Sequence, residues 1–280
     1  MAVSEGIFGL NHRGKITFMN SAALQMLRYD RPGQVIGQES HRFMHHRNSN
    51  GEHLSSEQCS MRKAWSEGVA VYSDSEMFKR GDGEDITVEF SANPLFDDDK
   101  LVGAVVNFSD ITMRKAQEER IWHQANFDQL TGVPNRSLFI DRLTTVLDQA
   151  RRNNALLALL FIDLDRFKPI NDQHGHDVGD VVLQTVARRI QASLRQSDTV
   201  ARIGGDEFVA ILPSVESSSD ARIAVKKITA SIKRPMEIDG QSISVGVSIG
   251  IALFPDDGEC VETLLKQADH AMYKIKSTER

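Results

Sequence analysis

The sequence predicts an α+β protein of two domains joined by a helix: an antiparallel sheet with short helices first, an α/β domain second. Three observations carry this. At 280 residues the chain is long enough for two cores of about 150 residues each. Residues 70–109 hold three strand-like segments in succession, divided by turn signals, which is the pattern of a meander. Beyond Asn126, strand-like and helix-like segments alternate, so a different architecture begins there.

The first domain opens with apolar segments at 6–9 and 14–19 around Asn11-His12-Arg13-Gly14, a hairpin pattern. Asn20 or Ser21 is placed to cap a short helix carrying Ala22, Ala23, Leu24, Met26 and Leu27. A polar, irregular stretch runs to about residue 67. Strands are expected at 70–79, 84–93 and 101–109, the first pair joined by Arg80-Gly81-Asp82-Gly83 and the second by an acidic turn over 96–100. In the second domain, helices are expected at 135–152, 177–194, 219–232 and 260–277. Strands are expected at 155–162, 198–203, 207–213 and 241–253.

Composition narrows the function. Hydrophobic residues make up 40% and charged residues 26%, as in ordinary globular proteins. Residues 1–112 hold 11 basic and 16 acidic side chains and the remainder 22 and 23, for a net charge of −6. Neither half suits a polyanion, so no nucleic acid is expected as partner, although a small phosphate ligand needs only a few groups. The longest apolar run, Ala155–Ile162, has eight residues against about twenty for a membrane-spanning helix, so no membrane segment is expected in this chain. Cys59 and Cys260 lie far apart without metal spacing, which points to a reducing, cytoplasmic setting. Met1 is followed almost at once by a strand-like segment, which suits a piece of a longer protein.

The segments Phe8-Gly9 and Ile16 to Ala23, with Leu101 to Val106 and the ending Asp110-Ile111-Thr112, resemble the opening and closing of a PAS sensor domain over residues 1–112. The resemblance implies a PAS fold whose exit feeds a signalling helix; the small molecule it would sense is unknown. Residues 113–126 are polar and helix-prone. Their apolar Met113, Ala116, Ile121 and Ala125 are spaced three to five residues apart, which resembles a short dimeric coiled coil and otherwise makes a solvated connector. His41, His45 and His46 cluster in the first domain, the first two at i, i+4. That spacing permits a metal or haem but more often marks solvated or structural histidines.

The chemistry concentrates in the second domain. Arg202-Ile203-Gly204-Gly205-Asp206-Glu207-Phe208 lies between two apolar segments, so a hairpin presents two glycines and two carboxylates at its tip. Glycines permit positive φ and close approach of a ligand, whereas adjacent acids repel unless a cation is present. The plain alternative is a solvated acidic turn. The apolar run 155–162 ends in Asp163-Leu164-Asp165 and leads to Arg166-Phe167-Lys168, Asn171-Asp172 and Gly175 to Asp180. A carboxylate at a strand end lies where α/β folds place ligands. Singly, Asp163 reads as a helix cap and Lys168 as a solvated lysine. Together the set supplies hard-cation ligands, a phosphate-binding ammonium and polar groups able to read a base.

These blocks, with Asp128-Gln129-Leu130-Thr131-Gly132-Val133-Pro134-Asn135-Arg136 and Ala268-Asp269-His270-Ala271-Met272-Tyr273-Lys274-Ile275-Lys276, resemble the GGDEF domain of diguanylate cyclases over about residues 127–280. The resemblance implies a palm or nucleotidyl-cyclase-like α/β core that condenses two GTP molecules into cyclic di-GMP and two pyrophosphates. It implies two Mg²⁺ per active site, or Mn²⁺ in their place, held by Asp163, Asp206, Glu207 and the Leu164 carbonyl, with Glu207 also placed to deprotonate the 3′-hydroxyl. Asn171 and Asp180 would bind guanine, with Gly204 and Gly205 leaving room for the nucleotide. Lys168, the amides of Arg166 and Phe167, Lys276 and Arg280 would serve the phosphates. Each domain would hold one GTP, so a homodimer is required for activity. Arg195-Gln196-Ser197-Asp198 resembles the family's inhibitory site for cyclic di-GMP, the alternative being a surface ion pair between Arg195 and Asp198. The family pattern breaks after Lys276, where Ser277-Thr278-Glu279-Arg280 replaces the usual ending; this weakens the role of Arg280 and suits a natural protein that continues, for example into a phosphodiesterase domain. The competing function classes are a catalytically silent receptor for GTP or cyclic di-GMP and, less suited to this charge pattern, a template-using polymerase.

Overall fold

A computed structural model describes residues 5–44 and 55–278. They form two compact units, Met1–Glu119 and Arg120–Arg280.

In the first unit, β1 (Gly6–Asn11) and β2 (Ile16–Met19) make the expected hairpin. Helix α1 (Ser21–Met26) follows, capped by Asn20, whose side chain accepts the Ala23 amide at 2.8 Å. The stretch expected to be irregular contains two short helices, α2 (Ser40–Met44) and α3 (Arg62–Ser66). Each has only five residues, too few to show a helical period in sequence; buried Met44, Ala64 and Trp65 hold them to the core. His45 and His46 lie outside the described residues, while His41 is buried on α2. Strands β3 (Val71–Lys79), β4 (Asp85–Asp97) and β5 (Lys100–Asp110) complete an antiparallel sheet in the order β2-β1-β5-β4-β3. The last turn is tighter than expected. Pairing continues to Asp97↔Lys100, leaving only Asp98 and Asp99, both at positive φ, the geometry of a two-residue hairpin loop. Phe8, Phe78, Phe90 and Phe108 are fully buried and in ring contact, at centroid distances of 5.3–6.3 Å.

Helix α4 (Thr112–Asn126) begins directly after β5 and has no buried residue. Its apolar side chains spread around the axis instead of forming one stripe, so its sequence does not mark a coiled-coil seam.

The second unit contains α5 (Arg136–Asn153), β6 (Leu156–Asp165), α6 (Phe167–His174), α7 (His176–Ser193), β7 (Thr199–Gly204), β8 (Glu207–Val215) and α8 (Ser218–Ile232). It ends with β9 (Met236–Ile238), β10 (Gln241–Ile243), β11 (Gly246–Phe254) and α9 (Val261–Thr278). The expected single strand over 241–253 is two strands. β10 pairs with β9 in a separate ribbon, and β11 joins the main sheet. The ribbon closes on Asp239 and Gly240, both at positive φ, and buries Met236, Ile238 and Ile243.

The main sheet, β11-β6-β8-β7, is antiparallel throughout. Ala158, Leu160, Ile162 and Leu164 of β6 join one core with Val182, Val186 and Ile228 of α7 and α8. Leu157, Leu159 and Phe161 join the opposite core with Leu143 of α5 and Leu264 of α9. Burial on both faces explains why β6 reads as an unbroken apolar run instead of alternating.

Candidate active site

The site forms where β6 ends beside the β7–β8 hairpin. Antiparallel register sets Asp163 directly opposite Glu207, and the Leu164 amide donates to the Asp206 carbonyl at 3.3 Å. The contact of strand end and hairpin tip thus comes from cross-strand pairing, whereas the strand-end rule anticipated for this site belongs to parallel sheets. Like charges directly opposite on neighbouring strands destabilise a sheet. One cation offsets them here: the Lys276 ammonium on α9 bonds Asp163 Oδ1. Asp163 lies inside a strand and is buried, which removes its reading as a helix cap.

Electrostatics record the crowding. Burial raises the Asp163 carboxyl above its ordinary range; Lys276 opposes this, and Asp206 and Asp165 reinforce it. Burial also raises Glu207, reinforced by Asp163, Asp206 and Asp269 and opposed by Lys276. Such carboxylates are short of positive charge. Among the described residues no three or more His, Cys, Asp or Glu side chains form a complete metal cage.

A cleft of about 720 Å³ opens here, lined by Leu164, Arg166, Phe167, Lys168, Asp206 and Lys276 among others. Six of the residues singled out in sequence therefore meet at one cavity. Helix α6 starts at its edge. Its N-cap, Arg166, sits at φ 55° and provides no side-chain cap, which leaves the first amides of α6 available to an anion. Lys168 is exposed and has no ion-pair partner among the described residues.

Asn171 and Asp180 lie outside that lining, on α6 and α7. A Cβ at Gly179 would stand 1.8 Å from Asn171 Oδ1, so the glycine lets the Asn171 amide approach α7 closely. Asn171 Oδ1 is buried without a hydrogen-bond partner. The hairpin glycines differ in their reason for being there. Gly205 holds φ 49°, and a Cβ at either Gly204 or Gly205 would meet nothing within 4 Å. The space above the tip is open.

Asp206 lies in the turn and Glu207 is the first residue of β8. Asp206 lines the cleft, whereas Glu207 lines a second cavity of about 380 Å³ together with Arg136 and Asp269. The two tip acids therefore border different spaces, a division not anticipated from the sequence. Arg195 and Asp198 line a third cavity of about 220 Å³ with Glu216, Asp220 and Lys227. They form no ion pair: Asp198 Oδ2 instead accepts the Arg195 amide at 2.8 Å. Arg280 lies outside the described residues.

Residues with no role assigned from sequence hold the tip. Arg202 donates to the Gly205 carbonyl through Nε at 2.9 Å and Nη2 at 2.7 Å, and its Nη1 donates to both oxygens of Asp128 at 3.0 and 3.1 Å. Burial works against the charge of Asp128, yet the Thr131 hydroxyl and amide and the Arg202 guanidinium hold its carboxyl below the ordinary range. Beneath Asp163, Ser248 donates to Asp165 Oδ1 at 2.8 Å. The quoted motifs contain Asp128, Asp165 and Arg202, but partners 74 and 83 positions apart leave no local signal of their pairing.

Both units resemble known proteins. The family model described as "Diguanylate cyclase, GGDEF domain" matches residues 125–280, and a PAS domain model matches residues 4–113. Diguanylate cyclase TpbB of Pseudomonas aeruginosa is 46% identical over 159 residues, covering 56% of this chain and 37% of TpbB. Probable diguanylate cyclase DgcE of Escherichia coli is 32% identical over 281 residues, covering 99% of this chain and 25% of DgcE. The chain thus spans well under half the length of either relative. Among solved structures, the GGDEF domain of TpbB superposes with a TM-score of 0.54 at 46% identity, covering 55% of this chain and 90% of that one. The coiled coil and GGDEF domain of DgcB from Caulobacter crescentus, in complex with c-di-GMP, gives 0.56 at 27% identity, covering 61% and 90%.

Proposed function

Since the chain belongs to the GGDEF diguanylate cyclase family and carries a PAS domain ahead of its GGDEF domain, we propose that it condenses two GTP molecules into cyclic di-GMP. On this reading residues 1–112 are the sensor, 113–126 the signalling helix and 127–280 the cyclase. The observation that carries it is the Asp163↔Glu207 register, which sets buried Asp163 against half-buried Glu207 beside an open glycine tip and a cleft with Lys168 and Lys276.

Asp163, Asp206, Glu207 and the Leu164 carbonyl are the residues to hold Mg²⁺ or Mn²⁺. Bound there, the cations neutralise phosphate charge and acidify the attacking hydroxyl. The remaining work falls to the chain. The uncapped amides at Arg166 and Phe167, with Lys168 and Lys276, hold the β- and γ-phosphates. The unpartnered Asn171 Oδ1 and the Asp180 carboxylate accept from guanine. Open space over Gly204 and Gly205 admits the nucleotide. Glu207 takes the proton of the 3′-hydroxyl. The 3′-oxygen of one GTP then bonds to the α-phosphorus of the other as the α–β bond breaks; two such steps release two pyrophosphates. Each GGDEF domain binds one GTP, so a homodimer brings the reactants together, with α4 as its connecting element and the PAS unit biasing how often the domains meet.

Arg195 and Asp198 are proposed as the inhibitory site for cyclic di-GMP. The Arg195 guanidinium, without an ion-pair partner among the described residues, is available to a phosphate or guanine edge. Among the described residues no helix is long and apolar enough to cross a membrane. GTP as substrate suits a cytoplasmic location. The test is incubation of the purified chain with GTP and Mg²⁺ followed by chromatography. Cyclic di-GMP from the wild type and none from a folded Asp206→Ala variant is the expected result; GTP bound without turnover by a confirmed dimer would make the chain a receptor instead.

A further inference from the structure

Helices α7 and α8 pack against each other. Where the second half of α7 meets the end of α8 they enclose a cavity of about 380 Å³, lined by Thr185, Arg188, Arg189, Ser193, Ser231 and Arg234 among others. The lining holds three guanidiniums and no carboxylate. The bordering segments 184–193 and 228–234 contain Arg188, Arg189, Lys233 and Arg234 but no Asp or Glu, although residues 113–280 as a whole hold 22 basic and 23 acidic side chains. None of the three arginines has an ion-pair partner among the described residues. Burial, and then the charges of Arg234 and Arg188, lower the Arg189 guanidinium below its ordinary value, so the like charges act on one another. Uncompensated cations around one concavity favour an anion.

The hydrogen bonds show which donors remain for a ligand. Arg189 is committed to the fold: its Nη1 donates to the Ile232 and Arg234 carbonyls at 2.9 and 2.5 Å, and its Nη2 to the Pro235 carbonyl at 3.0 Å. It thereby covers the end of α8, whose carbonyls would otherwise repel an anion. Arg188 Nη2 donates to Thr185 Oγ1 at 3.0 Å, which leaves Arg188 Nη1 and the Thr185 hydroxyl proton unused. The Arg234 side chain makes no hydrogen bond among the described residues. Ser231 is only 8% exposed, yet its hydroxyl has no hydrogen-bond partner among the described residues, where a polar group so buried ordinarily has one. The unused groups are donors, which match a ligand made of acceptor oxygens.

We propose that this cavity is a binding site for a small diphosphate anion, held by Arg188 and Arg234 together with the Ser231 and Thr185 hydroxyls. Phosphate oxygens accept from guanidiniums in pairs, and two linked phosphates carry enough charge to answer three cations. The site is separate from the nucleotide cleft, with which it shares no lining residue; Arg188 lies about 12 Å along α7 from Asp180. It shares only Ser193 with the cavity of Arg195 and Asp198. The binding event does not rest on the function proposed above.

The experiment titrates the full chain calorimetrically, in chelator, with pyrophosphate and with ADP, using sulfate and malonate as anions that lack a diphosphate. A diphosphate is expected to bind at millimolar concentration or below, and both controls at least about tenfold more weakly; the tighter of pyrophosphate and ADP shows whether the group is free or borne on a nucleotide. An Arg188→Gln/Arg234→Gln double variant alters two exposed side chains outside the catalytic cleft. It is expected to bind at least about tenfold more weakly, to melt no lower than the wild type and to keep the ligand-free rate of cyclic di-GMP synthesis. Arg195→Ala is expected to bind pyrophosphate as the wild type does. Phenylglyoxal, which modifies accessible guanidiniums, locates the anion by mass spectrometry: pyrophosphate is expected to protect Arg188 and Arg234 and to leave Arg195 labelled. No binding of either diphosphate, or equal binding of sulfate, would overturn the ligand class. Unchanged affinity in the folded double variant, or protection of Arg195 in place of Arg188 and Arg234, would overturn the site. A chain that makes no cyclic di-GMP would remove the function proposed above while the binding and protection readouts still report.

Discussion

Replacing Arg202 by lysine tests whether the hairpin tip works by being held still. The guanidinium makes four contacts at once, two to the Gly205 carbonyl and two to Asp128. An ammonium is a point donor and cannot span both partners. Arg202 and Asp128 side chains are only 13% and 23% exposed, so solvent compensates part of the loss. Hydrogen bonds to charged groups are worth about 1.5–3 kcal/mol each but do not add. A net loss of about 2–3 kcal/mol is expected, lowering Tm by about 5–10 °C for a unit of this size. The tip carries Asp206 and Glu207, and a displacement of about 1 Å costs on the order of a hundredfold in rate. The expected signature is a kcat reduced by about ten- to a hundredfold with KM for GTP little changed, because the proposed base contacts lie on α6 and α7 and the proposed phosphate contacts at the start of α6 and on α9, away from the hairpin tip. Pyrophosphate release and thermal melts of Arg202→Lys, Asp128→Asn and the double variant read this directly. The double variant should lose little more than either single one. A folded Arg202→Lys enzyme with kcat within about twofold of wild type would show that the clamp does not position the catalytic carboxylates.

Gly205→Ala should cost about 1–2 kcal/mol more in urea unfolding than Gly204→Ala, since only Gly205 holds positive φ and neither position is crowded; equal losses would contradict the backbone argument. Arg195→Ala should raise the cyclic di-GMP concentration needed for half-inhibition by about tenfold or more, the loss of a bidentate contact, while leaving the turn intact because Asp198 accepts the Arg195 main-chain amide. An unchanged inhibition curve would reduce that cavity to a structural turn. The raised Glu207 carboxyl means that the native state holds this proton more readily than the unfolded chain does. Its cost to stability is therefore absent in acid, below the ordinary carboxylate range, and grows as pH rises through the raised value. Metal-free Glu207→Gln should accordingly melt higher than wild type at neutral pH and no higher in acid; Mg²⁺ should stabilise the wild type more than the variant. Melts in chelator across pH check both statements.

Much of the architecture can be read from local chemistry. Asn20, one of the two residues placed to cap the first helix, does so. The four long helices of the second unit begin and end within about two residues of their periodic patterns, because an amphipathic stripe and its caps are local signals. The short helices α2 and α3, the eight-residue α6 and the β9–β10 ribbon escape such reading. Each is shorter than the window in which a period shows and is held by tertiary burial, as with Trp65 and Ile243. The glycine and carboxylate tip, the strand-end aspartate and the lysines announce phosphate chemistry by residue type alone.

By itself the sequence determined which side chains could do chemistry and that they belong to two successive α+β units. Folding decided which of them meet. Antiparallel register brought Asp163 against Glu207, the turn into β8 left Asp206 and Glu207 bordering different cavities, and the Arg202–Asp128 clamp joined residues 74 positions apart. The reason is physical: residue type and helical or strand period are properties of neighbours in the chain. Register, burial and cross-strand electrostatics exist only once distant segments share one sheet.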